Sequence, residues 1–160
     1  MPLQQAQAQP PTRSTGPCSS IDFYWKHVYY PGRLSEIKNC ITVTGKVYGS
    51  SGTKEDPDGD LHFTLQLDPQ FANKGYSIPN ECNPAAKDCT NIIVEVTCHS
   101  TPSSDYKTKW GDYCKSVQSK ILPNIKPSQG EHLSVSGKLV LDKDNKWNEI
   151  HPASDVQKIP

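Results

Sequence analysis

Alternation of apolar and polar residues predicts five β-strands in this chain, and their order constrains the fold more than any other feature. In a half-buried strand successive side chains face opposite sides, so every second residue is apolar. The five segments with this period are residues 41–50, 60–68, 91–98, 132–141 and 146–151. They predict a mainly β fold in which residues such as Val43, Phe63 and Val94 face inward.

A helix is expected between the third and fourth strands. Over residues 103–122, large apolar side chains recur at the spacing of an amphipathic helix. These side chains are Tyr106, Trp110, Tyr113, Val117 and Ile121. Five strands with a helix between the third and fourth is the order of an OB-fold, so we expect a five-stranded OB-like Greek-key barrel. Gly45 and Gly137, both in mid-strand, suit the sharp bends that close such a barrel.

Six cysteines compensate for a thin core. Leu, Ile, Val and Phe together supply only about one residue in five, which is close to the composition of disordered chains. The even number of cysteines, without any CxxC pair, predicts three disulfides and therefore an oxidising compartment, so we expect a secreted protein. The spacings suit the pairs Cys18–Cys40, Cys82–Cys89 and Cys98–Cys114, but spacing alone leaves other pairings open.

The chain is expected to form a single OB-like domain over residues 18–160, preceded by a tail. Residues 1–17 are rich in Gln and Pro and lack the basic and apolar regions of an intact signal peptide. We expect this tail to be flexible or to be the remnant of a processed signal peptide. An extended tail can also add to a strand edge, so self-assembly through residues 1–17 is a further expectation.

Charge and motifs exclude several classes of function. Lys plus Arg and Asp plus Glu each number 17, so the net charge is zero and nucleic acid is not the expected partner. No apolar run is long enough to span a bilayer. The sequence also lacks the nucleophile elbow, the zincin helix and the phosphate-binding loop.

Carboxylates and histidines on neighbouring predicted strands form the candidate binding site. Its residues are Asp58, Asp60, His62, Glu95, Glu149 and His151. Residues two apart project from the same face of a strand, which pairs Asp60 with His62 and Glu149 with His151. An OB barrel places the third strand between the second and the fifth, so Glu95 is expected between the two pairs.

Three interpretations of this cluster stay open. A divalent metal could be held by His62, His151, Asp60, Glu95 and Glu149, and a metal-dependent hydrolase could use the same groups as general acid and base. A histidine beside a carboxylate is also a common cross-strand pair, and many strand carboxylates are simply solvated. We favour the structural network, in which neighbouring carboxylates raise the pKa of both histidines, and therefore expect no cofactor.

The same residues resemble a widespread and largely uncharacterised family of secreted prokaryotic proteins. The shared pattern is acidic-x-Asp-x-His at residues 58–62, a strand glutamate leading to a cysteine at Glu95 and Cys98, and a closing Glu-x-His-Pro at residues 149–152. The similarity covers residues 41–159 and implies a secreted OB-like domain without an established reaction. We therefore expect a secreted, non-enzymatic binding or assembly module for an extracellular protein or a saccharide, with the metal-binding or hydrolase role as the alternative.

Overall fold

The computed structural model describes residues 16–77, 90–123 and 126–160. The strands are β1 (Leu34–Glu55), β2 (Leu61–Leu67), β3 (Asn91–Val96), β4 (His132–Asp142) and β5 (Trp147–Lys158). The helices are α1 (Ile21–Trp25) and α2 (Ser104–Trp110), and a single 3-10 turn spans Pro31–Arg33. Neither α-helix in these ranges is long and apolar enough to cross a membrane.

The five strands close into a barrel in the order β1-β2-β3-β5-β4, with β4 paired back to β1. β3 and β5 run parallel, and all other neighbouring strands run antiparallel. This connectivity is that of an OB-like Greek-key barrel, and α2 lies between β3 and β4. The fold class predicted from the strand order is confirmed.

Apolar side chains from all five strands fill the barrel interior. The inward positions expected from alternation are buried, including Val43, Phe63, Val94 and Leu133. Ile150 of β5 also lies in this core, opposite to the face that carries Glu149 and His151, as the sequence predicted. Each such side chain contributes roughly 1.5–3 kcal/mol through removal of its surface from water.

Gly45 and Gly137 lie where strands approach too closely for a side chain. A Cβ added at Gly45 would be 2.3 Å from the carbonyl oxygen of Gln66 on β2. A Cβ at Gly137 would be 2.5 Å from the carbonyl oxygen of Pro152, and the β4–β5 register shifts on both sides of this glycine. Both glycines therefore permit the close strand contacts that curve the barrel.

β1 and β5 are longer than predicted. β1 begins at Leu34 rather than at residue 41, and β5 continues to Lys158 rather than ending at residue 151. Irregular register between Glu36 and Ile41 breaks the alternation in the first part of β1. Pro152, which has no N–H to donate, lies inside β5 and hides its continuation from a sequence pattern.

The predicted helix over residues 103–122 is wrong beyond Trp110. α2 ends there because Gly111 adopts a φ of 79°, which leaves the helical region at little cost for a glycine. Tyr113 and Val117 consequently lie outside the helix, in turns and irregular chain. Ile121 nevertheless reaches the barrel core, so its apolar character reflects burial rather than helical periodicity.

A lead-in segment, residues 16–33, packs across the outside of the barrel. Within it Tyr24 joins the main core, while Trp25 and Val28 form a second small cluster with neighbours on β1 and β4. Ser154 of β5 donates its hydroxyl hydrogen to the carbonyl oxygen of Pro17 at 2.6 Å. The lead-in segment therefore covers an outer surface that would face water in a bare barrel.

Two disulfides link the lead-in segment and the chain after α2 to the barrel. Cys18–Cys40 joins the lead-in segment to β1, and Cys98–Cys114 joins the end of β3 to the chain after α2. Both are pairs that the spacing suggested. Cys82 and Cys89 lie outside the described residues, so the third pair stays a prediction. The two observed disulfides are compatible with an extracellular protein.

Candidate functional site

A pocket of about 390 Å³ lies on the outer face of the barrel. The β1–β2 and β4–β5 turns flank it and β2 and β3 contribute to its floor, which is where OB barrels commonly hold ligands. Among the described residues that line it, Arg33 and Lys54 carry a positive charge, and His62 is the one histidine. Its carboxylates are Asp56, Asp58, Glu95, Asp142, Asp144 and Glu149. This excess of carboxylates favours a cation inside the pocket.

Three pocket side chains, Asp56, His62 and Glu95, form a group suited to a metal ion, and we call them the three-ligand group. One potential ligand atom from each lies within 4.8 Å of those of the other two. His62 Nδ1 is 2.7 Å from Glu95 Oε1 and 3.6 Å from Asp56 Oδ2. Two ligand atoms bound to one ion at about 2.1 Å lie roughly 3.0–3.4 Å apart, so small side-chain rotations would admit an ion.

Strand register and a tight turn bring the three-ligand group together. His62 on β2 lies directly opposite Glu95 on β3 in the antiparallel ladder. Asp56 follows the last residue of β1, and its N–H donates to the carbonyl oxygen of Asp60 to close the turn. Gly59 occupies this turn at a φ of 94°, so the Asp-Pro-Asp-Gly sequence forms the turn that its composition predicts.

Glu95 is the most deeply buried member of the group, with 7% of its surface exposed. Burial raises the pKa of Glu95 well above its ordinary value, and the nearby charges of Glu149 and Asp60 add to the rise. Burial also lowers the pKa of His62, against the opposing attraction of Asp56. The expectation of a raised pKa at His62 is therefore wrong, because desolvation outweighs the carboxylate beside it.

A second cluster, Asp60, Glu149 and His151, lies buried behind the pocket, and we call it the buried triad. His151 is fully buried, with Nδ1 3.0 Å from Glu149 Oε2 and Nε2 3.2 Å from Asp60 Oδ2. The contact to Asp60 lies at ion-pair distance but lacks hydrogen-bond alignment. The other oxygen of Asp60 accepts the N–H of Cys98 at 2.9 Å, and Glu149 accepts the indole N–H of Trp147.

His151, the imidazole of the buried triad, is positively charged inside the protein. Burial by itself lowers the pKa of His151, but the close contacts of its ring nitrogens with Asp60 and Glu149, and the charges of these two carboxylates, outweigh burial and raise that pKa to about 10. An imidazolium between two carboxylates is the structural network expected from the sequence. The network also fixes Trp147, whose ring lies 6.2 Å from that of His62 across the pocket floor.

The predicted cluster of histidines and carboxylates thus divides into two neighbouring units. His62 and Glu95 belong to the three-ligand group, whereas Asp60, Glu149 and His151 belong to the buried triad. The predicted i, i+2 partnership of Asp60 with His62 is replaced by pairing across strands. Asp56 was missed as a ligand candidate, although it stands in the same acidic run, because only the folded turn brings it back over His62.

Asp58 lies between the two units on the pocket wall. Its Oδ1 accepts the N–H of Asp60 at 3.1 Å, which stabilises the turn. Burial, together with the charge of Asp60, raises the pKa of Asp58 to about 6. Asp58 therefore shapes the turn and adds a partly protonated carboxyl to the pocket.

The β4–β5 turn forms the opposite wall of the pocket. Asp142 accepts the N–H groups of Asp144 and Asn145 and the side-chain amide of Asn145, and it pairs with Arg33 at 3.1 Å. These bonds engage both of its oxygens. Asp142 is accordingly a turn-forming residue rather than an available ligand.

Neither a protein-family model nor a curated protein matches this chain. The resemblance to secreted prokaryotic proteins therefore stays a prediction. The geometry of the pocket is the basis on which a function can be assigned.

Proposed function

We propose that this protein is an extracellular binding module whose OB-like barrel holds a divalent transition-metal ion between Asp56, His62 and Glu95. The observation that carries the proposal is the state of Glu95. One of its oxygens contacts His62, while the other, Oε2, is buried without a hydrogen-bond partner among the described residues. Leaving a buried polar atom unsatisfied costs about 1–3 kcal/mol, and a bound cation would remove that cost.

The ligand types support a transition metal over calcium or magnesium. Imidazole nitrogen suits zinc, copper, iron and nickel, whereas calcium and magnesium sites consist of oxygen ligands. One histidine and two carboxylates supply three ligands, which leaves coordination positions for an oxygen of a bound molecule. Burial lowers the pKa of His62 and so favours the neutral imidazole that a metal requires, whereas Glu95, whose pKa is raised, would release its proton when the metal binds.

A second histidine–carboxylate pair shows what distinguishes the three-ligand group. His132 Nε2 lies 2.7 Å from Asp68 Oδ2, the same separation as between His62 and Glu95. Thr44 also donates to that oxygen of Asp68, and no third ligand joins the pair in the described part of the chain. The His132–Asp68 pair is therefore a natural control for metal binding.

The proposed role is to bind rather than to catalyse. The pocket lies on the face on which OB barrels commonly bind ligands, and the metal would present its open positions to a partner there. The disulfides support an extracellular location, in which the partner is an extracellular protein or a saccharide.

Titration calorimetry on protein first treated with a chelator tests the metal site. We expect about one equivalent of Zn²⁺ or Ni²⁺ to bind, and Ca²⁺ to bind more weakly. His62→Ala should lower the affinity at least about tenfold, while His132→Ala should leave it unchanged. Affinities weaker than millimolar for both transition metals, or equal losses in the two variants, would overturn the proposal.

A further inference from the structure

An exposed aromatic platform borders the metal-binding pocket. It consists of Tyr29, Tyr30 and Trp110 with Tyr106 behind them, and its outer rings, Tyr30 and Trp110, expose 45% and 40% of their surface. The two outer rings lie 5.0 Å apart with planes inclined by 30°. Tyr29 lies beside both outer rings, with its ring centroid 5.3 Å from that of Trp110 and 6.3 Å from that of Tyr30, and it also lies 5.0 Å from Tyr106.

Arg33 contacts the platform at Tyr30, which has an unfavourable backbone conformation. Tyr30 has a φ of 41°, which is uncommon for a residue with a large side chain. The guanidinium of Arg33 donates to the carbonyl oxygens of Tyr29 and Tyr30, and it is itself fixed by Asp142. Strained backbone that presents an aromatic ring to solvent does not help folding, and such strain concentrates at binding sites.

The platform and the metal-binding pocket adjoin each other. A second pocket of about 190 Å³ is lined by Tyr29, Tyr106 and Trp110, together with Asp105 and Lys109. Tyr29 and Tyr106 also line the larger pocket that contains the three-ligand group. The two pockets therefore meet at these tyrosines, and we call them together the groove, which is aromatic at one end and rich in carboxylates at the other.

Charge in the groove selects among ligand classes. The carboxylate-rich end repels polyanions such as nucleic acids. At the aromatic end, cations of the protein already lie over the rings, with Lys109 Nζ 5.1 Å from Trp110 and Arg33 Cζ 5.2 Å from Tyr29. These cations would repel a cationic ligand from the faces that it would otherwise use. A neutral molecule with apolar faces and many hydroxyl groups fits both ends.

We propose that the groove binds a neutral oligosaccharide, with one sugar ring stacked on the Tyr30–Trp110 platform. The apolar face of the sugar packs against the exposed rings, and its hydroxyl groups bond to Asp105 and Lys109. The chain of sugars continues toward the three-ligand group, where a hydroxyl oxygen can complete the coordination of the metal. This inference rests on the proposed function in naming the ligand of that same pocket, but stacking on the platform does not itself require the metal.

Calorimetry with defined neutral hexasaccharides of glucose, mannose, xylose and N-acetylglucosamine tests the platform. We expect at least one of the four to bind, and Trp110→Ala and Tyr30→Ala each to lower the affinity at least tenfold. Tyr48→Ala is the matched control, because Tyr48 is a tyrosine with 52% exposure that lines neither pocket. Absence of binding by all four sugars, or an equal loss in Tyr48→Ala, would overturn the inference.

Measurements on two variants test the saccharide inference and the metal proposal separately. Trp110→Ala should still bind Zn²⁺ as the wild type does, since Trp110 is not a metal ligand. His62→Ala should weaken sugar binding without abolishing it. Metal binding without sugar binding overturns the saccharide inference alone, and sugar binding without metal overturns the metal proposal alone. Tighter binding of oligolysine or of single-stranded DNA than of any sugar would also refute the saccharide assignment.

Discussion

Because of the buried triad, the free energy of unfolding should fall as the pH rises from 7 toward 10. His151 has a pKa of about 10 in the folded protein and about 6.5 in the unfolded chain. Because the folded value is the higher one, the stabilisation is fully present below pH 6.5 and is lost as the pH rises toward 10. Linkage assigns His151 about 4 kcal/mol at pH 7 and roughly 1–2 kcal/mol at pH 9.

Urea unfolding with the disulfides intact measures this loss. We expect the free energy of unfolding of the wild type to fall by roughly 2–3 kcal/mol between pH 7 and pH 9. A chelator in both buffers removes any contribution from bound metal. In His151→Gln the neutral amide cannot titrate, so the fall should be much smaller, from a baseline already lowered by about 3–5 kcal/mol.

The wild-type measurement is decisive even if His151→Gln does not fold. A free energy of unfolding that stays level or rises between pH 7 and pH 9 would show that His151 is not an imidazolium in the folded protein. A parallel fall in wild type and His151→Gln would assign the pH dependence to other groups. Either result would refute the account of the buried triad as a charged network.

Three other predictions concern parts of the fold outside the pocket. In urea unfolding, Gly45→Ala should lower the free energy of unfolding by at least about 1–3 kcal/mol, because its Cβ would overlap the carbonyl of Gln66. Gly16→Ala is the control and should leave the free energy unchanged, because no atom lies within 4 Å of the added Cβ. Replacing Cys98 and Cys114 together by serine should remove about 3 kcal/mol, and a loss below 1 kcal/mol would contradict the loop-entropy argument. Thiol labelling in denaturant without reductant should find no reactive cysteine, and two or more labelled thiols would contradict the three-disulfide prediction.

The barrel was predictable because its signal is local. Alternation along each strand is visible in the sequence, and the order of five strands and one helix allowed a single familiar closure. The ends of the strands and of the helix were harder to predict from the sequence. β1 was underestimated because its first part lies in irregular register along β4, and α2 was overestimated because Ile121 is apolar for a reason unrelated to helical period.

The site was predictable in residue type but not in partnership. Sequence placed Glu149 and His151 on one face of β5, and the structure confirms it. It did not indicate that the lead-in segment would cover that face, and so it treated His62 and His151 as equivalent. Burial lowers the pKa of both histidines, and only at His151 do two carboxylates outweigh that effect. Pairings between distant strands depend on tertiary packing, which no local pattern contains.

Arg33 has a consequence for the thermodynamics of binding. It ties Tyr29 and Tyr30 of the lead-in segment to Asp142 at the β4–β5 turn, so two walls of the groove are joined before any ligand arrives. Ordering a mobile side chain on association costs about 0.5–1.5 kcal/mol, and walls that are already fixed avoid much of that entropy loss. A ligand should therefore bind this groove with a smaller entropic penalty in the wild type than in Arg33→Ala, even where the contacts it makes are the same.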